Sequence, residues 1–527
     1  MRIGIDVGGT HTDAVILDGA RLLASTKALT SADVITGITT ALDTVLADAG
    51  IAQKDIQATM IGTTQFTNAV VERRELSPVA AIRIGLPSGR GLPPMVDWPH
   101  DINQATQAMT YELAGGYLYD GALLGPMDEA AIDAVISDIA ARGIESVAIS
   151  SVFSPMNDTP EAHIANKLSR AIPEIRITCS GSFGRLGLLE RENAAILNAA
   201  LLPFAERVVA SFLAAFKKRG LTCPVFISQN DGTLMNAEFV RQFPALTFAS
   251  GPTNSLRGAS MLTGLSDAIV VDIGGTTSDV GILQGGFPRQ SNSVIEVGGV
   301  RTNFRMPDIL ALGLGGGSLV GEEGRQVGPQ SLGHKLVDDA LVFGGQTLTA
   351  TDILVASGAV TIGNRDKIKH LPSALVAEAQ KTMTDMLDAG IEKMRPGGKA
   401  LPVILVGGGA ILVQNDLSAA SKVYRPENAG VANAIGAAIA QVGAEVEKLV
   451  DFAKTPRQTA IDGLIAEATH KAIKAGAEPA SVVAADIEET AIPYMSEGST
   501  RIRVRVIGDL GGLAASHVAA TRKNKAG

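Results

Sequence analysis

Apolar residues occur in short runs along the chain, and longer segments between these runs repeat the apolar spacing of helices. The runs at residues 1–7, 58–62 and 402–406 predict buried strands. Helical spacing at residues 32–49 and 373–394 predicts helices. Strands that alternate with helices indicate an α/β architecture with a mixed sheet in each half of the chain.

A segment near the N-terminus recurs in the middle of the chain. Residues 3–17, IGIDVGGTHTDAVIL, align without gaps with residues 269–283, IVVDIGGTTSDVGIL, at a constant offset of 266 that pairs Asp6 with Asp272. In each copy an apolar strand ends at an aspartate, Gly-Gly-Thr turns the chain, and a second apolar strand returns. This pattern predicts a β-hairpin with a glycine-rich tip. A repeat so widely spaced indicates two related domains rather than a solenoid.

The two hairpin tips are suited to phosphate. Glycine adopts positive φ and lets the backbone approach a ligand closely, and successive N–H groups form a nest for anions. An aspartate at a strand end is placed to hold Mg²⁺. A third glycine cluster, at residues 407–410, follows a predicted strand and offers a flat backbone surface for an adenosine. The alternative for each element is an ordinary tight turn.

The three glycine elements, in this order, resemble the phosphate-1, phosphate-2 and adenosine segments of the superfamily of acetate and sugar kinases, Hsp70 and actin. The resemblance implies an α/β fold of duplicated RNase H-like domains, of the actin/sugar-kinase type, with a nucleotide cleft between them. We expect an N-terminal domain at residues 1–180 with the first phosphate hairpin. A second domain at residues 181–450 would carry the second hairpin and the adenosine segment. The chain has no Walker A pattern.

A small C-terminal extension is expected at residues 451–527. It contains a helical pattern near residues 460–475 and an alternating strand at 501–507. We expect that strand to be an edge strand that packs on the core or meets a partner. The small and basic residues 515–527 are expected to fray.

Several stretches, in order, resemble the hydantoinase/oxoprolinase family, specifically its A-type, ATP-binding subunit. The similar stretches cover residues 1 to about 442, and His11 stands where that family usually has Phe. They are GIDVGGTHTDAV (4–15), IGTTQFTNAVVERR (61–74), ISQNDG (227–232), SGPTNSLRGA (250–259), VVDIGGTTSDVG (270–281), GLGGGS (313–318) and VGPQS (327–331).

The family resemblance implies an activity. Family members use ATP to open cyclic amides such as hydantoins, 5-oxoproline and lactams, and related members are ATP-dependent carboxylases of ketones. A ring amide resists water because resonance stabilises it, so phosphorylation of its oxygen creates a leaving group and an electrophilic carbon. The resemblance implies ATP and Mg²⁺ as cofactors, a small cyclic amide as substrate and a separate B-type subunit as partner. A homo-oligomer is also possible.

Other activities stay open at this stage. A small-molecule kinase and an ATP-dependent carboxylase are alternatives, and a need for bicarbonate would distinguish the carboxylase. The same fold also serves ATP-driven chaperones and reactivating factors, in which hydrolysis moves domains. The chain shows no separate peptide-binding β domain, which disfavours the chaperone.

Roles can be assigned to residues as hypotheses. We expect Asp6 and Asp272 to orient Mg²⁺ or the attacking oxygen, and Asn68 to act near the transferred phosphate or the substrate. The residues expected to bind the nucleotide are Gly8, Gly9, Thr10, Thr12, Thr63, Thr64, Gly274, Gly275, Thr276, Thr277, Gly408 and Gly409. Thr63, Thr64 and Asn68 come at the start of a helix, where free N–H groups favour anions. Their alternative role is helix capping.

Other polar residues have weaker signals. Asn230 either lines the cleft or makes a turn. The GLGGGS loop at residues 313–318 is either an anion nest or a hinge. The family commonly has a His in a DIHT-like element before this loop, but this chain has Leu310 there, which removes the basis for a metal role. The charged run at residues 190–192 begins a helical pattern. It either points into the cleft or is a solvated helix start, and the second is the more common role of such a charge cluster.

Composition narrows the partners and the compartment. The chain has a net charge of −9 and only 4% aromatic residues, which gives no reason to expect nucleic acid or an anionic membrane as partner. Cys179 and Cys223 lack metal-type spacing, and no disulfide framework is expected. With no apolar leader and no long uncharged span, the sequence predicts a cytoplasmic protein.

Overall fold

A computed structural model describes most of the chain. The described residues are 1–8, 11–29, 34–183, 186–291, 294–492 and 499–512. The predicted helix at residues 373–394 and the predicted strand at 402–406 have the expected bounds. The end that was expected to fray, residues 515–527, lies outside the described residues.

The elements of the first third of the chain alternate between strands and helices. They are β1 (Arg2–Val7), β2 (His11–Asp18), β3 (Arg21–Leu29), α1 (Val34–Ala49), β4 (Ala58–Thr63), α2 (Gln65–Val71), β5 (Val79–Leu86), α3 (His100–Thr106), β6 (Met109–Ala114), α4 (Glu129–Ala141), β7 (Ser146–Ser151), α5 (Thr159–Ala171) and β8 (Arg176–Cys179).

The remaining elements include the second copy of the repeat. They are α6 (Leu188–Lys218), β9 (Val225–Ser228), β10 (Leu234–Asn236), α7 (Ala237–Gln242), α8 (Ser250–Thr263), β11 (Ala268–Ile273), β12 (Ser278–Gln284), β13 (Phe287–Pro288), β14 (Ile295–Val297), β15 (Val300–Thr302), β16 (Ile309–Leu312), β17 (Ser318–Val320), β18 (Val327–Ser331), α9 (Leu336–Asp339), α10 (Ala350–Ala356), α11 (Ser373–Met394), β19 (Pro402–Val406), β20 (Lys422–Tyr424), α12 (Ala432–Ile439), β21 (Val442–Asp451), α13 (Arg457–Lys474), β22 (Val483–Ala491) and β23 (Ser499–Gly508).

The two copies of the repeat lie in two different sheets. The described strands of the larger sheet have the order β22-β23-β21-β10-β9-β4-β1-β2-β3, and those of the second sheet run β13-β12-β11-β19-β20 with β16 beside β12. In both copies the hairpin is antiparallel, and its first strand has a parallel neighbour on the other side. Both predicted hairpins are therefore confirmed, within a mixed α/β fold.

A third sheet, of parallel strands, is inserted after the first hairpin unit. Its described strands have the order β6-β5-β7-β8. Their inward side chains form a separate apolar cluster with α4 and α5 that includes Ile82, Ile136 and Ile164. The large sheet and the second sheet each have their own apolar core as well.

The C-terminal strand lies inside the large sheet. β23 pairs along its length with β21 and also with β22, so the expectation of an edge strand is wrong. The reason is that Ile502, Val504 and Val506 are fully buried in the main core, while the more polar β22 covers the outer backbone of β23. Val483 and Ile487 of β22 are exposed.

Helix α6 is apolar enough to cross a membrane by length and composition, and it is the one such helix among the described residues. Half of its apolar stretch is buried inside the fold, where the helix packs against β7, β8 and α7. It also carries the buried charged residues Arg191 and Glu192. These features are those of a core helix, whose apolar surface is covered by its own chain.

Helices α8 and α12 cross in close contact between the two hairpin sheets. A Cβ on Gly258 would lie 1.9 Å from the carbonyl oxygen of Ala432, and a Cβ on Gly436 would lie 1.9 Å from that of Asn254. Only glycine lets the two backbones approach so closely. The crossing sets the position of one hairpin relative to the other.

Candidate functional site

The acidic residues of both hairpins come together. Asp6 lies opposite Asp13 in the first hairpin, and Asp272 lies opposite Asp279 in the second. Burial raises the pKa of Asp6 to about 7, and the charges of Asp13 and Asp272 add to this rise. Burial, followed by the charge of Asp272, also raises the pKa of Asp279 to about 7. Lys27 Nζ offsets part of this charge, because it lies 2.5 and 2.8 Å from the two carboxylate oxygens of Asp13.

A chain of hydrogen bonds joins the two aspartates across the helix crossing. Asn433 Nδ2 donates to Asp6 Oδ2 at 3.3 Å, and Asn433 Oδ1 is hydrogen-bonded to Ser255 Oγ. Ser255 Oγ also contacts Asp272 Oδ2. A serine hydroxyl has one proton and a carboxamide oxygen only accepts. If Asn433 donates to Asp6, Ser255 donates to Asn433 and Asp272 must donate to Ser255. If the carboxamide is turned over, Asp6 must donate to Asn433 instead. In either orientation, one of the two aspartates carries a proton.

The tip of the first hairpin is described only in part. The Gly8 N–H donates to the His11 carbonyl at 3.0 Å, which closes the turn. Gly9 and Thr10, two predicted nucleotide ligands, lie outside the described residues. Thr12 is fully buried, whereas His11 is exposed.

The tip of the second hairpin is supported from behind by the GLGGGS loop. The Gly274 N–H donates to the Thr277 carbonyl at 2.9 Å, and the carbonyl of Gly275 accepts from the Gly317 N–H at 2.7 Å. A Cβ on Gly315 would lie 2.6 Å from the Thr276 nitrogen. The loop therefore needs glycine because it packs against the hairpin backbone. The side chains of Thr276 and Thr277 are exposed.

Thr63 and Thr64 follow β4, next to the end of β1. Thr63 Oγ1 accepts from the Gln65 N–H at 3.2 Å, and Thr64 Oγ1 donates to the Val7 carbonyl at 3.4 Å. The Asn68 side chain is exposed on α2 and donates to Thr64 Oγ1 at 3.5 Å. These residues are thus held at the first hairpin. Thr63 makes a local turn bond, whereas Thr64, the N-cap residue of α2, makes no side-chain cap bond to a described residue.

The third glycine cluster packs against the second hairpin. A Cβ on Gly407, which has φ of 85°, would lie 2.3 Å from Asp272 Oδ1. The Gly409 N–H donates to the Ile273 carbonyl at 2.7 Å. Gly408 is exposed and has open space around it. Of the two predicted adenosine contacts, Gly408 therefore has an open surface and Gly409 is buried against the strand.

Sequence analysis missed three polar residues of this site. Ser255 and Asn433 link the aspartates. Asn254 on α8 is 1% exposed, and neither of its side-chain polar atoms is hydrogen-bonded to a residue that the structure describes. A Cβ on Gly62 would lie 2.4 Å from Asp6 Oδ1 and 2.6 Å from Asn254 Nδ2. The available signal was the presence of polar residues within helices otherwise rich in small residues.

The charged run at the start of α6 is not solvated, so that expectation is wrong for Arg191 and Glu192. Both are 1–2% exposed. Glu192 pairs with Arg83 and accepts from the Ser150 hydroxyl, while Arg191 Nε donates to Ser180 Oγ at 3.0 Å. The partners come from β5, from the end of β7 and from the turn after β8, which a local charge pattern does not show.

The donors at the hairpins can be compared with those of metal sites. Within the part of the chain that the structure describes, no three His, Cys, Asp or Glu residues are grouped to hold a metal ion. Mg²⁺ in nucleotide sites is commonly bound through one or two carboxylates, with waters and phosphate oxygens completing its shell. Asp6 and Asp272 fit that smaller donor set.

Comparison with known proteins identifies the family. The model of the hydantoinase/oxoprolinase N-terminal region matches residues 2–172, and the hydantoinase/oxoprolinase model matches residues 191–452. The chain therefore belongs to the hydantoinase/oxoprolinase family, which confirms the resemblance found in the sequence.

Two curated relatives are similar over about two thirds of this chain. One is the caprolactamase subunit alpha of Pseudomonas jessenii, 27% identical over 393 residues, which are 69% of this chain and 55% of that protein. Another is the acetophenone carboxylase gamma subunit of Aromatoleum aromaticum, 24% identical over 395 residues, or 68% of this chain and 53% of that protein. The matched part thus spans little more than half the length of these relatives.

Two solved structures share the fold. The ATP-dependent caprolactamase from Pseudomonas jessenii has a TM-score of 0.78 at 19% identity, with 97% of this chain and 88% of that chain covered. The nucleotide-free acetone carboxylase has a TM-score of 0.66 at 17% identity and the same coverage. At these identities the likeness extends to the fold alone.

Proposed function

We propose that this protein is an ATP-dependent enzyme that opens a small cyclic amide such as a hydantoin, 5-oxoproline or a lactam. The observation that carries the proposal is the meeting of Asp6 and Asp272, each at the end of a glycine-tipped hairpin and joined through Ser255 and Asn433. Membership of the hydantoinase/oxoprolinase family supports it.

In this proposal the two hairpin sheets are the halves of a duplicated RNase H-like fold of the actin/sugar-kinase type. Support comes from the equivalent pairing of β1 and β11 and from the crossing of α8 with α12 between the sheets. The nucleotide would lie between the hairpins, with Gly8 on one wall, Gly274 and Gly275 on the other, and adenosine near Gly408.

The proposed reaction has two stages. The carbonyl oxygen of the ring amide attacks the γ-phosphorus of ATP, and ADP leaves. Water then adds to the activated carbon, and the ring C–N bond breaks with proton transfer to nitrogen, which leaves an acyl phosphate. A second water adds to that carbonyl carbon and inorganic phosphate leaves, so the products are the ring-opened amino acid, ADP and phosphate. Phosphoryl transfer depends mainly on positioning and on neutralising charge. Mg²⁺ held by Asp6 and Asp272 would supply part of that neutralisation.

A second chain is part of the proposal. The relatives are named as an alpha subunit and a gamma subunit, which suggests that this chain also works within an assembly. We propose that it is the ATP-using member and that a B-type subunit supplies the rest of the active unit.

Carboxylation is the second candidate. The similarity to the acetophenone carboxylase gamma subunit and the shared fold of acetone carboxylase favour it. In that reaction bicarbonate would be the phosphoryl acceptor, so bicarbonate would be required for substrate-dependent ATP turnover.

The test is ATP hydrolysis with Mg²⁺ by the purified chain, with and without its B-type partner. Hydantoin, 5-oxoproline and lactams would be compared with ketones in the presence and absence of bicarbonate. Cyclic amides should stimulate turnover without bicarbonate, and Asp6→Asn and Asp272→Asn should abolish it. Stimulation that depends on bicarbonate and a ketone would favour the carboxylase. A chain that binds no ATP under these conditions contradicts both functions.

A further inference from the structure

A small cavity lies at the carboxyl end of β9, in the large sheet. Its volume is about 110 Å³, several times what one water molecule needs. Its lining includes Asn230, Asn303, Phe183, Phe304, Arg305 and Glu445. We propose that this cavity binds the ring of a small cyclic amide by pairing with the ring N–H and C=O. This inference rests on the proposed function and gives it a substrate site.

Asn230 reaches the cavity with a free carboxamide. Its backbone N–H donates to the Leu246 carbonyl at 2.8 Å, and its carbonyl accepts from Thr253 Oγ1 at 3.1 Å. The residue is 5% exposed, yet its side chain has no hydrogen bond to any described residue. The turn is therefore held by the backbone, and the side chain is left for another role.

Asn303 is the second free carboxamide at the cavity. Both Nδ2 and Oδ1 are buried, and neither has a partner among the described residues. Buried polar side-chain atoms in folded proteins are normally hydrogen-bonded. The unpartnered carboxamide of Asn303, in a cavity that Asn230 also lines, therefore marks a place where a polar ligand completes the structure.

The chemistry of a carboxamide points to a ring amide. A carboxamide presents an N–H donor and a C=O acceptor side by side. An amide in a small ring is cis, so its own N–H and C=O also lie on one edge and can form two hydrogen bonds with a carboxamide. An open-chain secondary amide is trans and places these groups on opposite edges. The cavity should therefore distinguish ring amides from chain amides.

The other walls suit a neutral, partly apolar ligand. The rings of Phe183 and Phe304 meet edge to face, with centroids 5.6 Å apart, and can contact ring methylenes. Arg305 is already paired with Glu445 at 2.8 Å and with Glu447 at 3.2 Å. Because Arg305 already pairs with both carboxylates, these three charges are engaged with one another, and a neutral ring can be held by hydrogen bonds without separating them.

The remaining charged residues of the cavity are also paired. Asp231 accepts from the Thr233 N–H at 2.9 Å and from its hydroxyl at 2.6 Å. Lys471 lies 3.7 Å from Glu467. An anionic ligand would have to take Arg305 or Lys471 from a carboxylate partner, whereas a neutral amide would not.

The cavity and the first hairpin share one edge of the sheet. β9 lies next to β4, and β4 lies next to β1, so about 10 Å separates the ends of β9 and β1. The first turns of α8 are bound to both places, because Thr253 contacts Asn230 and Ser250 Oγ donates to the Thr63 carbonyl at 3.3 Å. A ring held in the cavity is thus close to the proposed phosphate site.

The test measures binding to the full chain without ATP by saturation-transfer NMR and calorimetry. The probe is 2-piperidone, compared with N-methyl-2-piperidone, which lacks the N–H, and with N-methylacetamide, which is trans. We expect 2-piperidone to bind, the N-methyl ring to bind about tenfold more weakly, and N-methylacetamide to give no signal. Equal binding of the two rings, or no binding of 2-piperidone, would overturn the proposal.

Variants provide a second measurement. Asn303→Asp keeps the side-chain size but replaces the NH2 donor with an oxygen that only accepts. It should weaken 2-piperidone binding about tenfold. Asn103→Asp, on the exposed face of α3, is the matched control and should change nothing. ATP affinity should be the same in both variants. Unchanged 2-piperidone binding in folded Asn303→Asp would refute the assigned contact. If the wild-type chain does not bind ATP, that result would count against the proposed function and not against the cavity.

Discussion

Ser255 on α8 and Asn433 on α12 hydrogen-bond to each other where the two helices cross, and each also contacts one aspartate of the paired hairpins. The glycines at the crossing make this possible, because larger residues would hold the helices apart. The contact therefore connects the backbone packing between the sheets with the geometry of the candidate site.

The Ser255 link should matter for both stability and nucleotide binding. Ser255→Ala leaves the oxygen of Asn433 without its donor in a buried place, which should lower the free energy of unfolding by about 1–3 kcal/mol. We expect weaker ATP binding as well, because Asp272 loses its fixed position. Urea unfolding and calorimetry with MgATP would measure the two effects. Ser137→Ala, on the exposed side of α4, is the control. A Ser255→Ala protein indistinguishable from it would refute the link.

The helix crossing should not tolerate a methyl group. Gly436→Ala places a Cβ against a backbone oxygen and should cost about 2–3 kcal/mol of unfolding free energy, as expected for overpacking. Gly463→Ala, in α13, has nothing within 4 Å of the new Cβ and should stabilise the protein by about 0.5–1 kcal/mol. Chemical denaturation of both variants would check this. Similar effects at the two sites would contradict the close approach of α8 and α12.

The stability of the ligand-free protein should depend on Asp6 through pH. The pKa of Asp6 is raised from 3.8 to about 7 by burial, so the unfolded state ionises first as the pH rises. Asp6 therefore costs stability progressively between about pH 4 and pH 7, by up to about 1.4 kcal/mol per pH unit. Asp6→Asn should remove this part of the slope. Parallel curves of unfolding free energy against pH for the two proteins would show that Asp6 is not the cause.

The Arg83–Glu192 pair should be costly to break at one end. Both side chains are 2% exposed, so Arg83→Met leaves a buried, unpaired carboxylate and should cost about 3–5 kcal/mol. The double variant Arg83→Met/Glu192→Leu should be less destabilised than the single one. Removing the exposed pair Arg142–Asp138 should cost about 0.3–0.5 kcal/mol. Thermal and urea unfolding of the three variants and the unmodified protein would establish the order. Equal losses for the buried and exposed pairs would contradict it.

Sequence analysis predicted those parts of the site that depend on local pattern. The two hairpins, each with an aspartate at the end of its first strand, follow from the repeat and from the apolar strand pattern. The strand before the third glycine cluster has its predicted bounds because it is a short, continuous apolar run. The family resemblance was found for a related reason, since its motifs are short and contiguous.

Other features depended on contacts between distant parts of the chain. The sequence predicted a solvated helix start at Arg191 and Glu192, because their partners in and after β5, β7 and β8 are distant in the sequence. β23 was predicted to be an edge strand. The alternation of apolar and polar residues shows which face of a strand is buried, but it does not show which strands pair with its two sides.

The sequence by itself therefore determined the strands, helices and glycine turns, since each depends on the period and chemistry of neighbouring residues. Only the tertiary structure decided which polar groups meet. Ser255 and Asn433 are 178 residues apart, and their contact exists because glycine lets α8 and α12 approach. The same holds for the cavity at Asn230 and Asn303, whose residues come from separate elements and become neighbours only when the sheets pack.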